Sequence, residues 1–145
     1  MSFKSIAIAA DHAGYDLKSK LAEDLRSSGY EVLDLGTVDA TTSVDYPDFG
    51  KAVAEAVTSG KAEAGVVVCG TGIGISIAVN RHPGARAALC HDVTSARLSR
   101  EHNDANVLAL GARLIGEVAA KDCLHTFLNT EFAGDRHARR VQKLG

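Results

Sequence analysis

One stretch constrains this chain more than any other: Ala64-Gly65-Val66-Val67-Val68-Cys69-Gly70-Thr71-Gly72-Ile73-Gly74-Ile75-Ser76-Ile77-Ala78. A short β-branched run meets three alternating glycines, and helical spacing of small residues follows. That order predicts a buried strand, a tight loop and a helix N-terminus. Glycines at 70, 72 and 74 permit positive φ and let a ligand approach main-chain N–H groups closely. The helix start adds orphan donors and a partial positive charge, both suited to an anion. Cys69 and Thr71 bring a thiol and a hydroxyl to the strand's C-terminal edge, where ligands sit in open α/β sheets.

The loop alone is not diagnostic. A nucleotide hydrolase's phosphate loop ends in Gly-Lys-Ser/Thr, whereas this one reads Gly74-Ile75-Ser76. The dinucleotide fingerprint asks for a third glycine where Ile75 stands, although Asp92 lies about 20 residues on, as that motif requires. The competing account is a glycine turn that serves only close strand–helix packing. Cys69 would then be an inert small hydrophobe.

At 145 residues the chain fits one domain, 1–145, with enough length to bury a core. A net charge of −2 gives no general nucleic-acid or membrane surface. Cys69, Cys90 and Cys123 are odd in number, widely spaced and without C-x-x-C, so neither a disulfide framework nor a zinc site is indicated. Met1-Ser2-Phe3-Lys4 leads directly into a strand, without a signal peptide's apolar region. No apolar run reaches the roughly 20 residues of a membrane span. The expectation is a soluble, cytoplasmic protein.

Ser5 to Ala10 reads as a strand, and Leu17, Leu21 and Leu25 give a helix face ending at Ser28-Gly29. Glu31 to Leu35 is a second strand. A polar loop from Thr37 to Asp48 follows, long enough to expect function from it. Phe49, Val53 and Val57 mark the next helix. The glycine-loop helix runs to about Asn80. Ala85 to Cys90 is a fourth strand and Asp92 to Glu101 a fourth helix, capped by Asp92 or Thr94. Val107 to Leu110 is the fifth strand. The last long helix opens at Leu114 or Ile115, with Val118, Leu124, Phe127 and Leu128 on its apolar side. Five strand–helix alternations imply an α/β fold: a five-stranded parallel sheet with helices on both faces. The segment 131–145 is a basic tail, either a solvated terminal helix or one that docks on a second subunit or an anion.

Strands of a parallel sheet end at one edge, so Asp11 and His12, Cys69 and Thr71, and Arg113 converge there. Each has a plain alternative: Asp11 as a cap, His12 as a turn residue, Arg113 as a helix-start cation. His82, His91 and His125 have no partners at metal-ligand spacing and read as structural or surface residues.

Asp11-His12-Ala13-Gly14, Asp45-Tyr46-Pro47, Cys69-Gly70-Thr71-Gly72-Ile73-Gly74 and the run from Arg97 to Leu108 resemble the ribose/galactose isomerase family, specifically its ribose-5-phosphate isomerase B branch. The resemblance covers essentially the whole chain and keeps the family's order and spacing. It implies a single-domain, three-layer Rossmann-like fold without nucleotide binding. It also implies a homodimer or homotetramer with a site shared between subunits, and no cofactor or metal. The implied reaction interconverts ribose 5-phosphate and ribulose 5-phosphate through a cis-enediolate, a step of the pentose phosphate pathway.

By that resemblance Cys69 is the base, His102 opens the sugar ring, and Thr71 holds a hydroxyl or helps move a proton. The amides of Gly70, Gly72, Ile73 and Gly74 serve the oxyanion. Asn103, Asp11 and Tyr46 meet sugar oxygens, and His12, Arg113, Arg136 and Arg140 bind or line the phosphate pocket. One branch carries a glutamate base where Ile75 stands, so this chain matches the cysteine type. Two rivals stand beside this expectation: an isomerase of a six-carbon sugar phosphate or rare sugar, and a non-catalytic nucleotide- or anion-binding module.

Overall fold

Apolar runs and amphipathic segments alternate in the computed structural model as they do in the sequence. Residues 3–145 are described, so Met1 and Ser2 of the opening segment lie outside them. The elements are β1 (Ser5–Ala10), α1 (Tyr15–Ser27), β2 (Glu31–Asp34), α2 (Tyr46–Thr58), β3 (Ala64–Cys69) and α3 (Ile73–Asn80). They continue with β4 (Ala87–Leu89), α4 (Val93–Asn103), β5 (Val107–Gly111), α5 (Glu117–Leu128) and α6 (Arg136–Leu144). The strands form one parallel sheet in the order β2-β1-β3-β5-β4.

Side-chain alternation along each strand feeds a separate core on each face. On one side Ile6, Ile8, Val66, Val68, Leu108 and Leu110 pack with Leu21 and Leu25 of α1 and Leu124 and Phe127 of α5. On the other, Ala7, Ala9, Val67 and Ala109 meet Val53 of α2 and Ile75 and Val79 of α3. Each fully buried Leu, Ile or Phe contributes about 1.5–3 kcal/mol of transfer free energy. Among the described residues no helix is long and apolar enough to cross a membrane.

α1 and α2 lie on opposite faces, so the crevice between β1 and β3 is a topological switch point at the C-terminal edge. The glycine loop opens there.

The fourth strand is confined to Ala87–Leu89, shorter than the expected 85–90, and three helix boundaries also differ from the sequence reading. α2 begins at Tyr46, because Pro47 fits the first turn, where its missing N–H is not needed. α4 runs past Glu101 to Asn103, and Asp104 ends it in the left-handed region at φ 47°, a conformation aspartate tolerates. The last long helix opens at Glu117, not at Leu114 or Ile115. Residues 111–115 first close a turn in which Leu114 and Ile115 N–H donate to the Gly111 carbonyl at 2.9 and 3.1 Å. Val118 is consequently 76% exposed rather than part of the apolar face. Asp92, not Thr94, caps α4, accepting the Ser95 N–H at 2.7 Å.

Candidate active site

Burial of β3 brings Cys69 to the sheet edge just beneath the glycine loop, 4% exposed. Its Sγ accepts the Gly72 N–H at 3.2 Å. Gly72 sits at φ +76°, and a Cβ there would lie 2.8 Å from the Leu110 carbonyl carbon. The turn therefore needs glycine for conformation and for packing. Thr71 Oγ1 accepts the Ile73 N–H at 3.2 Å. The N–H groups of Gly74 and Ile75, in the first turn of α3, have no intrahelical acceptor and face the loop end as donors.

Four other elements reach this cradle. Asp11, 7% exposed, follows β1, and its Oδ1 accepts the Gly14 N–H at 3.1 Å. Its turn-capping role is therefore real. His12 Nδ1 accepts the Val44 N–H at 3.1 Å and so anchors the polar loop. In the neutral ring this leaves the proton on Nε2. That loop's other end is held by Lys18, 2% exposed, whose Nζ donates to Asp34 and to the Thr37 carbonyl, both at 2.9 Å. The loop leads into α2, and the Tyr46 ring lies against Gly74. After β5, Arg113 N–H donates to the Gly70 carbonyl at 2.9 Å, and its guanidinium lies over Gly70. Asp11, His12, Tyr46, Cys69, Thr71, Ile73 and Arg113 thus gather around one loop.

His102 and Asn103 do not join them within one chain. They occupy the last turn of α4, next to where β5 begins, whereas Cys69 and Arg113 stand where strands end. β5 runs from Val107 to Gly111, four steps that separate the two edges by about 13 Å at ordinary strand rise. At that far edge α6 packs on α4, and His102, Asn103, His137, Arg140, Val141 and Leu144 line a pocket. Arg136 and Arg140 are exposed. The described residues therefore form two separate groups, one at each edge of the sheet.

Two residues escaped the sequence reading: His137, which stacks on His102, and Lys18, which fixes the polar loop. A buried lysine on an amphipathic helix was the only sequence signal among them: Lys18 stands next to Leu17 and within a turn of Leu21. His91, expected to be structural or at the surface, is structural: its Nε2 accepts the Gly111 N–H at 3.0 Å and steadies the turn that carries Arg113. His125 pairs with Asp24 at 2.6 Å, a structural link between α5 and α1.

A parallel α/β sheet with a thiol, a donor-rich loop and cations at its switch point is that of a small-molecule enzyme rather than a nucleotide hydrolase, whose loop lysine is missing. Comparison with known proteins makes this specific. The ribose/galactose isomerase family matches residues 6–144. A ribose-5-phosphate isomerase B structure from Clostridium thermocellum superposes with TM-score 0.96 at 57% identity, covering 97% of this chain and 95% of that one. Ribose-5-phosphate isomerase B of Escherichia coli is 43% identical over 97% of this chain and 94% of its own length. D-erythrulose-4-phosphate isomerase of Pectobacterium atrosepticum is also 43% identical, over 97% of this chain and 93% of its own. The chain belongs to the ribose/galactose isomerase family and is an aldose–ketose isomerase of that family, which displaces the non-catalytic rival.

Proposed function

We propose that the chain interconverts ribose 5-phosphate and ribulose 5-phosphate, with Cys69 as the base. The observation that carries this is the Cys69 sulfur under the α3 N-terminus, accepting the Gly72 N–H. That N–H and the partial positive charge of the helix start would stabilise negative charge on the sulfur. From the open-chain aldose it would take the C2 proton, giving a cis-enediolate, and return a proton to C1. Charge developing on the sugar oxygens would meet the N–H groups of Gly74 and Ile75, and Thr71 would handle the hydroxyl proton. Arg113 over Gly70 supports an anionic substrate, since a guanidinium fork suits phosphate oxygens.

Ring opening is assigned to His102, binding of a sugar oxygen to its neighbour Asn103, and phosphate capture to His12, Arg113, Arg136 and Arg140. The sheet-edge separation supports a site completed by a second copy of the chain, His102 and α6 from one subunit facing Cys69 of the other. A two-fold axis would then make two equal sites. Ile73 and Ile77, each 51% exposed on the outer face of α3, support a covered surface beside the loop. Three free, buried cysteines suit a reducing compartment and support cytoplasmic residence.

Equal identity to ribose- and erythrulose-phosphate isomerases means that the site must decide the substrate. The test is a coupled assay over ribose 5-phosphate, erythrulose 4-phosphate, allose 6-phosphate and galactose 6-phosphate. The highest kcat/KM is expected for ribose 5-phosphate. A preference for a six-carbon or four-carbon sugar would overturn the assignment.

A further inference from the structure

α6 meets the body of the chain through one buried side chain. From Arg136 to Leu144 only His137 is buried, while Arg136, Arg139 and Arg140 are exposed. The His137 imidazole stacks on that of His102 in α4, with centroids 4.3 Å apart and planes 15° from parallel. Among the described residues the His102 ring has no hydrogen-bond partner, so this stack is what orients it.

We propose that His137 is the positioning residue of His102 and the joint that ties ring opening to phosphate capture; the proposal rests on the ribose 5-phosphate reading above. A histidine's χ2 torsion is broad and leaves a lone ring free to swing. A second ring laid flat on it removes that freedom and leaves the edge nitrogens of His102 to meet the sugar.

Burial, then the positive charge of Arg136, His102 and Arg140, holds His137 below the ordinary histidine range, with Asp135 opposing weakly. That shift favours the neutral ring of His137 where it lies against His102. Arg136 and Arg140 flank His137 on the same helix, one turn apart from each other. The seat of His137 on His102 therefore also sets where those guanidinium groups project.

The test compares wild type, His102→Asn, His137→Ala and His137→Phe on two readouts. One is steady-state turnover of ribose 5-phosphate, which enters as a ring. The other is deuterium exchange at C1 of ribulose 5-phosphate, which enters open. His137→Ala should lower kcat on ribose 5-phosphate roughly tenfold and raise KM, while exchange on ribulose 5-phosphate at saturation stays within about threefold. His137→Phe keeps a flat ring in the stack and should recover most of the lost kcat. A wild-type KM and kcat in His137→Ala would overturn the proposal, as would a Phe variant that folds yet turns over ribose 5-phosphate no better than the Ala variant. Absence of ribose turnover in wild type, or an unimpaired His102→Asn, would instead overturn the underlying reading.

Discussion

The Tyr46 ring lies over Gly74 so closely that a Cβ at position 74 would sit 2.6 Å from its Cε1 and Cζ. One residue opens α2 and the other belongs to the first turn of α3, so this contact joins the polar loop to the donor cradle. Gly74→Ala must displace the ring, whose side chain is partly exposed and can move. Stability should hold or rise, since alanine is the better helix former by about 0.5–1 kcal/mol. KM should rise. In a Tyr46→Ala background the same change should cost nothing further, and a double-mutant cycle with no coupling would refute the link.

Cys69→Ala should abolish isomerisation and exchange of carbon-bound protons with solvent, with Tm near wild type. Alkylation offers a second check. Burial pushes the Cys90 thiol up, and Cys123 is pushed up to about 11 by the same cause. Iodoacetamide at about pH 8 should therefore label Cys69 first, despite its low exposure, with sugar phosphate protecting it. Peptide mass spectrometry showing Cys90 or Cys123 modified first would remove Cys69 from the role of base.

Arg136→Ala and Arg140→Ala should each weaken binding of phosphorylated sugar by about 1–3 kcal/mol if a charge-assisted hydrogen bond is lost. Turnover of unphosphorylated sugars should change much less. Comparable losses on both substrate types, measured as kcat/KM, would show instead that these arginines hold an interface.

A shared site predicts complementation. Cys69→Ala and His102→Asn chains, each inactive alone on ribose 5-phosphate, should recover activity when mixed under subunit exchange. Mixed dimers verified by native mass spectrometry but still inactive would assign both residues to one subunit's site.

Acid should loosen α6 before the rest. His137 titrates below the ordinary histidine value of 6.5 in the folded chain, chiefly because of burial, so between the two values the unfolded state binds more protons. Its contribution to stability is complete above the unfolded value and is lost as pH falls through the folded one. Ring-proton NMR should give a His137 midpoint below that of an unstructured histidine, and amide exchange over 136–144 should rise with acid. A midpoint at or above the ordinary value would contradict this.

What the sequence made legible follows the range of the signals involved. The β-branched runs and the glycine loop are local patterns, and all five strands stand where those patterns predict. The start of α5 was not visible because the turn at Gly111 is set by carbonyl geometry, which leaves no mark on apolar spacing around Leu114 and Val118. Convergence of Asp11, Cys69 and Arg113 followed from parallel topology alone. The contact between His102 and His137 could not, since it depends on how α6 packs across α4, and the basic tail left open whether it meets solvent, a second subunit or an anion.

The separation of Cys69 from His102 by the length of a strand has a consequence for how such an enzyme behaves on dilution. On the shared-site reading a lone chain holds a thiol without a ring opener and a ring opener without a thiol. Specific activity on ribose 5-phosphate should then fall as the protein is diluted below its dimer dissociation constant, and return on concentration. Exchange on the open ketose should fade with it only so far as α6 of the neighbour supplies the phosphate grip. Assembly itself would act as the switch, and an isolated, newly made chain would carry a quiet cysteine until it met its copy.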